Sequence, residues 1–318
     1  MATQRTFGKS DLQVSPIAFG GNVFGWTLDR RQSFRILDAF VDAGFNFIDT
    51  ADTYSTWVPG NQGGESETII GEWLKQRSKR DDLIIATKLG GDMGNGKKGL
   101  SAGYITEAVT ASLKRLDTDY IDLYQSHYDD PETPVEETME AFNVLVKSGK
   151  VRHLGASNLS ADRIVQSNRF AAENGLQGYI SLQPLYNLYD RRKFETEYLP
   201  TVEAEGLAVM TYYALASGFL SGKYRGEADF GKSPRGGGMK KYLDERGFRI
   251  LKALDRVSAE TGAPAAQLAL AWQLHKPAVT APIASATTEK QLQDLVAATN
   301  LKLTREQLAL LDEASAYG

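Results

Sequence analysis

Four residues that can carry charge or protons stand at the ends of three apolar runs. Phe45-Asn46-Phe47-Ile48 ends in Asp49, and Tyr54 follows five residues later. The run over residues 83–87 ends in Lys88, and that over residues 120–126 ends in His127. A phenol beside an ammonium and an imidazole is a proton donor suited to a carbonyl oxygen. Lys88 is expected to lower the phenol's proton affinity from its reference near ~10, with Asp49 holding Lys88 charged and fixed. His127 would hydrogen-bond the substrate oxygen or share the proton with Tyr54. Taken singly, each residue has a plainer reading: a helix or loop cap, a buried ion pair, a loop aromatic, a satisfied core histidine. Their joint position at strand ends favours chemistry.

Such residues meet only if the fold brings strand ends together. Short apolar runs at residues 17–20, 45–49, 83–88, 121–125, 152–156, 179–183, 208–212 and 279–283 alternate with amphipathic segments. The segments cover residues 31–43, 65–76, 106–116, 135–148, 161–174, 194–205, 244–260 with 264–275, and 289–298. Gly44, Gly149, Gly175, Gly206 and Gly262 each follow a helix, as left-handed C-cap glycines do. Eight strand–helix units predict a closed parallel (β/α)8 TIM barrel, where all strand C-termini share one face. A doubly wound open sheet is the alternative from pattern alone. Residues 4–14 read as an N-terminal β-hairpin turning at Gly8-Lys9-Ser10-Asp11. Residues 303–317 read as an extra C-terminal helix, with Thr304 as N-cap and Gln307 as its capping-box partner.

The bulk numbers narrow the classes. The 318 residues, 42% hydrophobic, suit two average domains or one barrel of about 250 residues plus loops, and residues 1–318 are read as a single domain. Net charge is −4, which argues against a nucleic-acid or anionic-membrane partner. There is no cysteine, hence no disulfide, thiol nucleophile or thiolate metal site. No signal-peptide core or membrane-length apolar run is evident, so a cytoplasmic protein is expected, monomeric or homo-oligomeric. Of the remaining histidines, His153 reads as packing at a strand start and His275 as a helix C-terminal contact. A metal site drawn from His127, Asp129 and Asp130 is disfavoured, because such acidic loops are usually solvated. Gly20 to Gly25 lacks the spacing of a phosphate-binding glycine motif. Glycine-rich stretches at residues 90–96 and 226–238 are expected to be mobile loops on the active face.

The motifs GFNFIDTADTY, IIATKLG, YIDLYQSH and KVRHLGASN, in that order, resemble the aldo-keto reductases. The likeness continues through LQPLYN, YYALASGFLSGKY and APIASA, and so covers nearly the whole chain. It is nearest to the bacterial subgroup related to potassium-channel beta subunits. The resemblance implies the (β/α)8 barrel and an NADP(H)-dependent oxidoreductase acting on small carbonyls and alcohols, with NAD(H) also admitted. It implies Tyr54 as general acid, Lys88 and Asp49 as its tuners, and His127 as the donor that orients substrate. Ser157, Asn158 and Gln183 match the hydrogen-bonders to the nicotinamide amide, and Tyr212 matches the aromatic that stacks on its ring. Leu215, Ser217, Gly218, Leu220, Gly222 and Lys223 match the loop around the pyrophosphate. Ser285, Ala286 and Thr287 match the receiver of the adenosine 2′-phosphate, and Gln291 and Asp294 match adenine-side contacts.

Some positions depart from that pattern. Relatives often carry a cation near Thr287 and Thr288, an asparagine at Leu295, a glycine at Ser285 and a proline at Ala214. Lys290 reads as the only nearby cation, so a weakened preference for NADP(H) is expected. Phe24, Trp26, Trp57, Tyr128 and Phe219 fall near the expected mouth and suggest an apolar, aromatic-accepting substrate pocket. Two rivals remain at this level: a nucleotide-sensing subunit with little turnover, and an isomerase or epimerase that uses bound nicotinamide without net oxidation.

Overall fold

The structure is a computed structural model that describes residues 3–77, 79–94 and 96–317. It opens on a hairpin, β1 (Arg5–Thr6) and β2 (Gln13–Val14), paired antiparallel. Then follow β3 (Ala18–Gly20), α1 (Arg30–Asp42), β4 (Phe47–Asp49), α2 (Glu65–Leu74), β5 (Ile84–Leu89), α3 (Ala102–Leu116) and β6 (Ile121–Ser126). The second half runs α4 (Val135–Lys147), β7 (Val151–Ser157), α5 (Ala161–Glu173), β8 (Tyr179–Gln183), α6 (Leu199–Glu205) and β9 (Ala208–Val209). It finishes with α7 (Glu245–Thr261), α8 (Ala265–Leu274), β10 (Ile283–Ala284), α9 (Glu289–Ala298) and α10 (Arg305–Ser315).

Eight parallel strands pair in the order β10-β3-β4-β5-β6-β7-β8-β9, with the helices outside. The ring is drawn together where Thr280 N donates to Val209 O at 2.9 Å and Ile283 N to Thr211 O at 2.9 Å. The expected barrel with its hairpin and C-terminal helix is what the chain forms. The last two strands are shorter than expected. Pro282 has no N–H for a ladder, so regular pairing of the eighth strand starts only at Ile283. The single helix expected over residues 194–205 is split. A π-turn, Phe194–Tyr198, precedes α6, and Pro200 in the first turn of α6 removes a donor and widens the coil there. All five predicted C-cap glycines have positive φ, between 63° and 85°. Thr304 and Gln307 form the predicted capping box.

Alternation along the strands decides what faces where. Phe47, Ile84, Ala86 and Leu123 point into the barrel, where Phe7 of the hairpin turn packs edge-on to Phe47 at 5.4 Å and stops the lower end. Ile48, Ile85 and Tyr124 point out to the helices and join the main core. By the same period of two, Asp49, Lys88 and Gln125 continue the inward set at the upper end. The glycine-rich stretches, expected to be mobile, take turns with defined hydrogen bonds: Met93 N donates to Lys97 O at 2.9 Å and Gly236 N to Ser233 O at 2.9 Å. Asn95 lies outside the described residues.

Candidate active site

Asp49 is the hub. Both its oxygens accept from Lys88 Nζ at 2.8 Å, and Lys88 Nζ also donates to Thr50 O at 2.6 Å. Gln183 Nε2 donates to Asp49 Oδ1 at 2.9 Å, and Gln125 Nε2 reaches the same oxygen at 3.4 Å. The Tyr54 hydroxyl donates to Asp49 Oδ2 at 3.2 Å. Asp49 and Lys88 are fully buried, so the pair holds only because each compensates the other. Burial pushes the Lys88 ammonium down from the usual lysine range, and Asp49 partly offsets this.

The phenol behaves differently from the sequence-based expectation. Burial, then the Asp49 carboxylate, push Tyr54 well above the usual tyrosine range rather than below it. The physical reason is geometric: the hydroxyl faces Asp49, while Lys88 Nζ lies over the Tyr54 ring, 4.7 Å from its centroid. Tyr54 is therefore held protonated. His127 follows β6, with its amide donating to Leu89 O at 2.8 Å. Burial, then the charge of Lys88, push its imidazole well below the usual histidine range. Its ring centroid is 6.2 Å from that of Tyr54, and among the described residues no hydrogen bond joins the two. A shared proton is thus not the arrangement found; a neutral imidazole beside a protonated phenol is.

Around this group the other predicted residues collect. Asn158 follows β7 in a left-handed conformation, donates to His127 O at 2.9 Å and accepts from Tyr212 Oη at 3.0 Å. Ser157 Oγ donates to Gln183 O at 2.8 Å. Beyond Tyr212, the chain winds through left-handed Tyr213, Ala216, Ser217 and Gly218. A Cβ added at Gly218 would meet Lys223 Nζ at 3.6 Å, so loop backbone and ammonium share one small space. Leu215, Ser217, Gly222 and Lys223 are partly exposed on this loop. Leu220 and Ala286 are fully buried. Ser285 Oγ donates to Gly20 O at 2.7 Å, and Thr287 N donates to Gln291 Oε1 at 2.8 Å. Asp294 accepts from Gln267 at 2.9 Å and from Lys290 at 2.9 Å.

Two of the five aromatics expected at the pocket are buried rather than exposed beside the site. Phe24 is fully buried and stacks on Phe19, and Phe219 is fully buried and stacks on Tyr242. Both rings belong to the main hydrophobic core. Trp57 and Tyr128 are half exposed beside the site, and Trp26 meets Trp57 edge-on at 5.6 Å. Tyr128 stacks on His127 at 4.6 Å, and Tyr213, which the sequence reading passed over, is equally exposed nearby.

The aldo/keto reductase family model matches residues 16–316. The chain belongs to the aldo/keto reductase family. It is 36% identical to an uncharacterized oxidoreductase of Bacillus subtilis (strain 168), over 96% of this chain and 94% of that relative. It is 37% identical to a probable voltage-gated potassium channel subunit beta of Arabidopsis thaliana, over 91% of this chain and 89% of that relative. It is 33% identical to a norsolorinic acid reductase of Aspergillus flavus, over 96% of this chain and 79% of that relative. The family and these names support an oxidoreductase with a small-molecule substrate. Among the described residues, no helix is long and apolar enough to cross a membrane.

One cation that the sequence reading did not single out lies near Ser285. Arg235 lies over the Trp26 ring, 5.0 Å from its centroid. With the Asn22 amide turned to satisfy its neighbours, Arg235 Nη2 donates to Asn22 Oδ1 at 3.0 Å, and Asn22 Nδ2 donates to Ser285 Oγ at 2.8 Å. Burial pushes the Arg235 guanidinium down from the usual arginine range, and the Tyr213 and Tyr224 phenols nearby partly offset this. Lys290, the cation expected here, instead pairs with Asp294 along its own helix. Arg235 sits in an irregular glycine-rich segment, where no periodicity reports which way a side chain turns.

Proposed function

We propose that this aldo/keto reductase interconverts aldehydes or ketones and alcohols, with NADP(H) preferred and NAD(H) admitted. The observation that carries the reading is the inward cluster of Asp49, Lys88, Tyr54 and His127 at the strand C-termini. A bound nicotinamide nucleotide would supply hydride to the carbonyl carbon. Tyr54, kept protonated, donates to the oxygen as charge develops there. The phenolate then formed is stabilised by the Lys88 ammonium, which Asp49 holds in place. Neutral His127 supplies a second hydrogen bond to the same oxygen, with no net charge to repel an approaching proton.

The cofactor residues fit a dinucleotide by their chemistry. Asn158, Gln183 and Ser157 supply amide and hydroxyl groups, Tyr212 a half-buried ring, and Lys223 beside Gly218 a cation for a pyrophosphate. Ser285, Thr287 and the start of α9 suit a phosphate, and Arg235 adds the charge that Lys290 does not. Trp26, Trp57, Tyr128 and Tyr213 favour flat aromatic carbonyls. The test is a panel of aldehydes, ketones and alcohols followed at the nicotinamide absorbance with both cofactors. Steady turnover with preference for NADPH is expected. Tight nucleotide binding with negligible turnover across the panel would favour a nucleotide-sensing subunit instead.

A further inference from the structure

The charges around Lys88 do not balance if every acid is ionised. Inside the barrel Asp49 compensates Lys88. Behind Lys88, between strands and helices, fully buried Glu67 of α2 accepts from Thr87 Oγ1 at 2.5 Å and pairs with Arg115 of α3 at 2.6 Å. Those four charges cancel. Asp52 is a fifth ionisable group in the same space. It is 2% exposed, and neither carboxyl oxygen has a hydrogen-bond partner among the described residues. The adjacent Thr53 amide pulls weakly on it but misses hydrogen-bond geometry.

The groups that face Asp52 are Glu67 of α2, Arg115 and Tyr104 of α3, Lys88 of β5 and Tyr124 of β6. The Tyr124 hydroxyl is buried and has no hydrogen-bond partner among the described residues either. A carboxylate here would be an uncompensated charge out of water, a state that buried acids avoid by keeping the proton. Burial first, then Glu67, push the Asp52 carboxyl up to about 8. The main chain links this acid to the active site: Asp52 N donates to Lys88 O at 3.1 Å, and Tyr54 is two residues on.

We propose that Asp52 is a positioning residue that works as a neutral acid, seating the turn that carries Tyr54 against Lys88 only while it keeps its proton. Release of that proton to solvent leaves a charge beside Glu67 and Lys88 and loosens the seat. The kinetic consequence rests on the reading of the site under Proposed function; the protonation state does not.

The full chain is compared with Asp52→Asn, which copies the neutral acid in shape and cannot ionise. Infrared difference spectra at pH 7 should show the carbonyl stretch of a protonated carboxylic acid in the wild type that the variant lacks. The wild-type folded value of about 8 stands above the ordinary 3.8, so this group costs the wild type stability as pH rises between them. The variant's melting temperature should therefore gain on the wild type across that window. A purely structural role would give a constant gap. In carbonyl reduction, wild-type kcat/KM should fall about tenfold per pH unit above the midpoint, and Asp52→Asn should stay level. No protonated-acid band, a pH-independent melting gap, or the same alkaline limb in both proteins would each overturn the proposal. If neither protein turns over, the functional reading fails, while the infrared and melting results still decide the state of Asp52. Should Asp52→Asn not fold, Glu67→Gln removes the like charge and should move the wild-type infrared and melting midpoints down; unmoved midpoints contradict the proposal.

Discussion

At the scale of residues, electrostatics sets the protonation state of the site. His127 lies below the usual histidine range because burial and Lys88 both disfavour its cation. Its ring NMR shifts should stay flat as pH falls through 6.5, the ordinary midpoint; a titration there would show the imidazole is not shielded as described. Lys88→Met should be destabilising by about 3–5 kcal/mol in urea unfolding, because Asp49 is left buried and uncompensated. Adding Asn at Asp49 should restore most of that loss, and a double variant as weak as the single one would mean that packing, not charge, is responsible. That Asp49 and Lys88 would meet was legible in sequence, since period-two strands carry both inward automatically. The direction of the Tyr54 shift was not. It depends on whether the hydroxyl faces the carboxylate or the ammonium, and spacing is silent on that.

At the scale of elements, close approach and loop contacts matter most. α2 crosses α3 so tightly at Gly71 that an added Cβ would lie 2.1 Å from Arg115 O. Gly71→Ala should therefore cost at least the ~1–3 kcal/mol usual for overpacking, read as a lowered urea midpoint. An unchanged midpoint would mean the two helices part easily. Nothing in the sequence marked this contact, because a glycine inside a helix reveals need only through its neighbour. The irregular segment after β9 makes a different point. If Arg235 serves the 2′-phosphate, Arg235→Ala should shrink the NADPH-over-NADH ratio of kcat/KM by about one to two orders of magnitude, the value of one charge-assisted hydrogen bond. An equal loss with both cofactors would assign Arg235 to the mouth in general rather than to the phosphate. Strand and helix runs with strong periodicity were read within a few residues, whereas Pro282 and Pro200 broke the elements in which they fall.

At the scale of the whole molecule, the barrel separates support from chemistry. Phe7 and the hairpin fill the lower end, and the inward polar residues gather at the upper end. Pairing of β10 with β3 lets residues from opposite ends of the chain, Gly20 and Ser285, share one hydrogen bond. That is why short motifs scattered over the chain make one site. The central claim is that Tyr54 is the proton donor in carbonyl reduction, and Tyr54→Phe tests it most directly. Reduction of one aromatic aldehyde by NADPH should be followed in a single turnover, alongside NADPH binding. The chemical step should slow by about 10²–10⁴ while the dissociation constant for NADPH stays nearly unchanged. A variant that reduces the aldehyde at the wild-type rate would contradict the account.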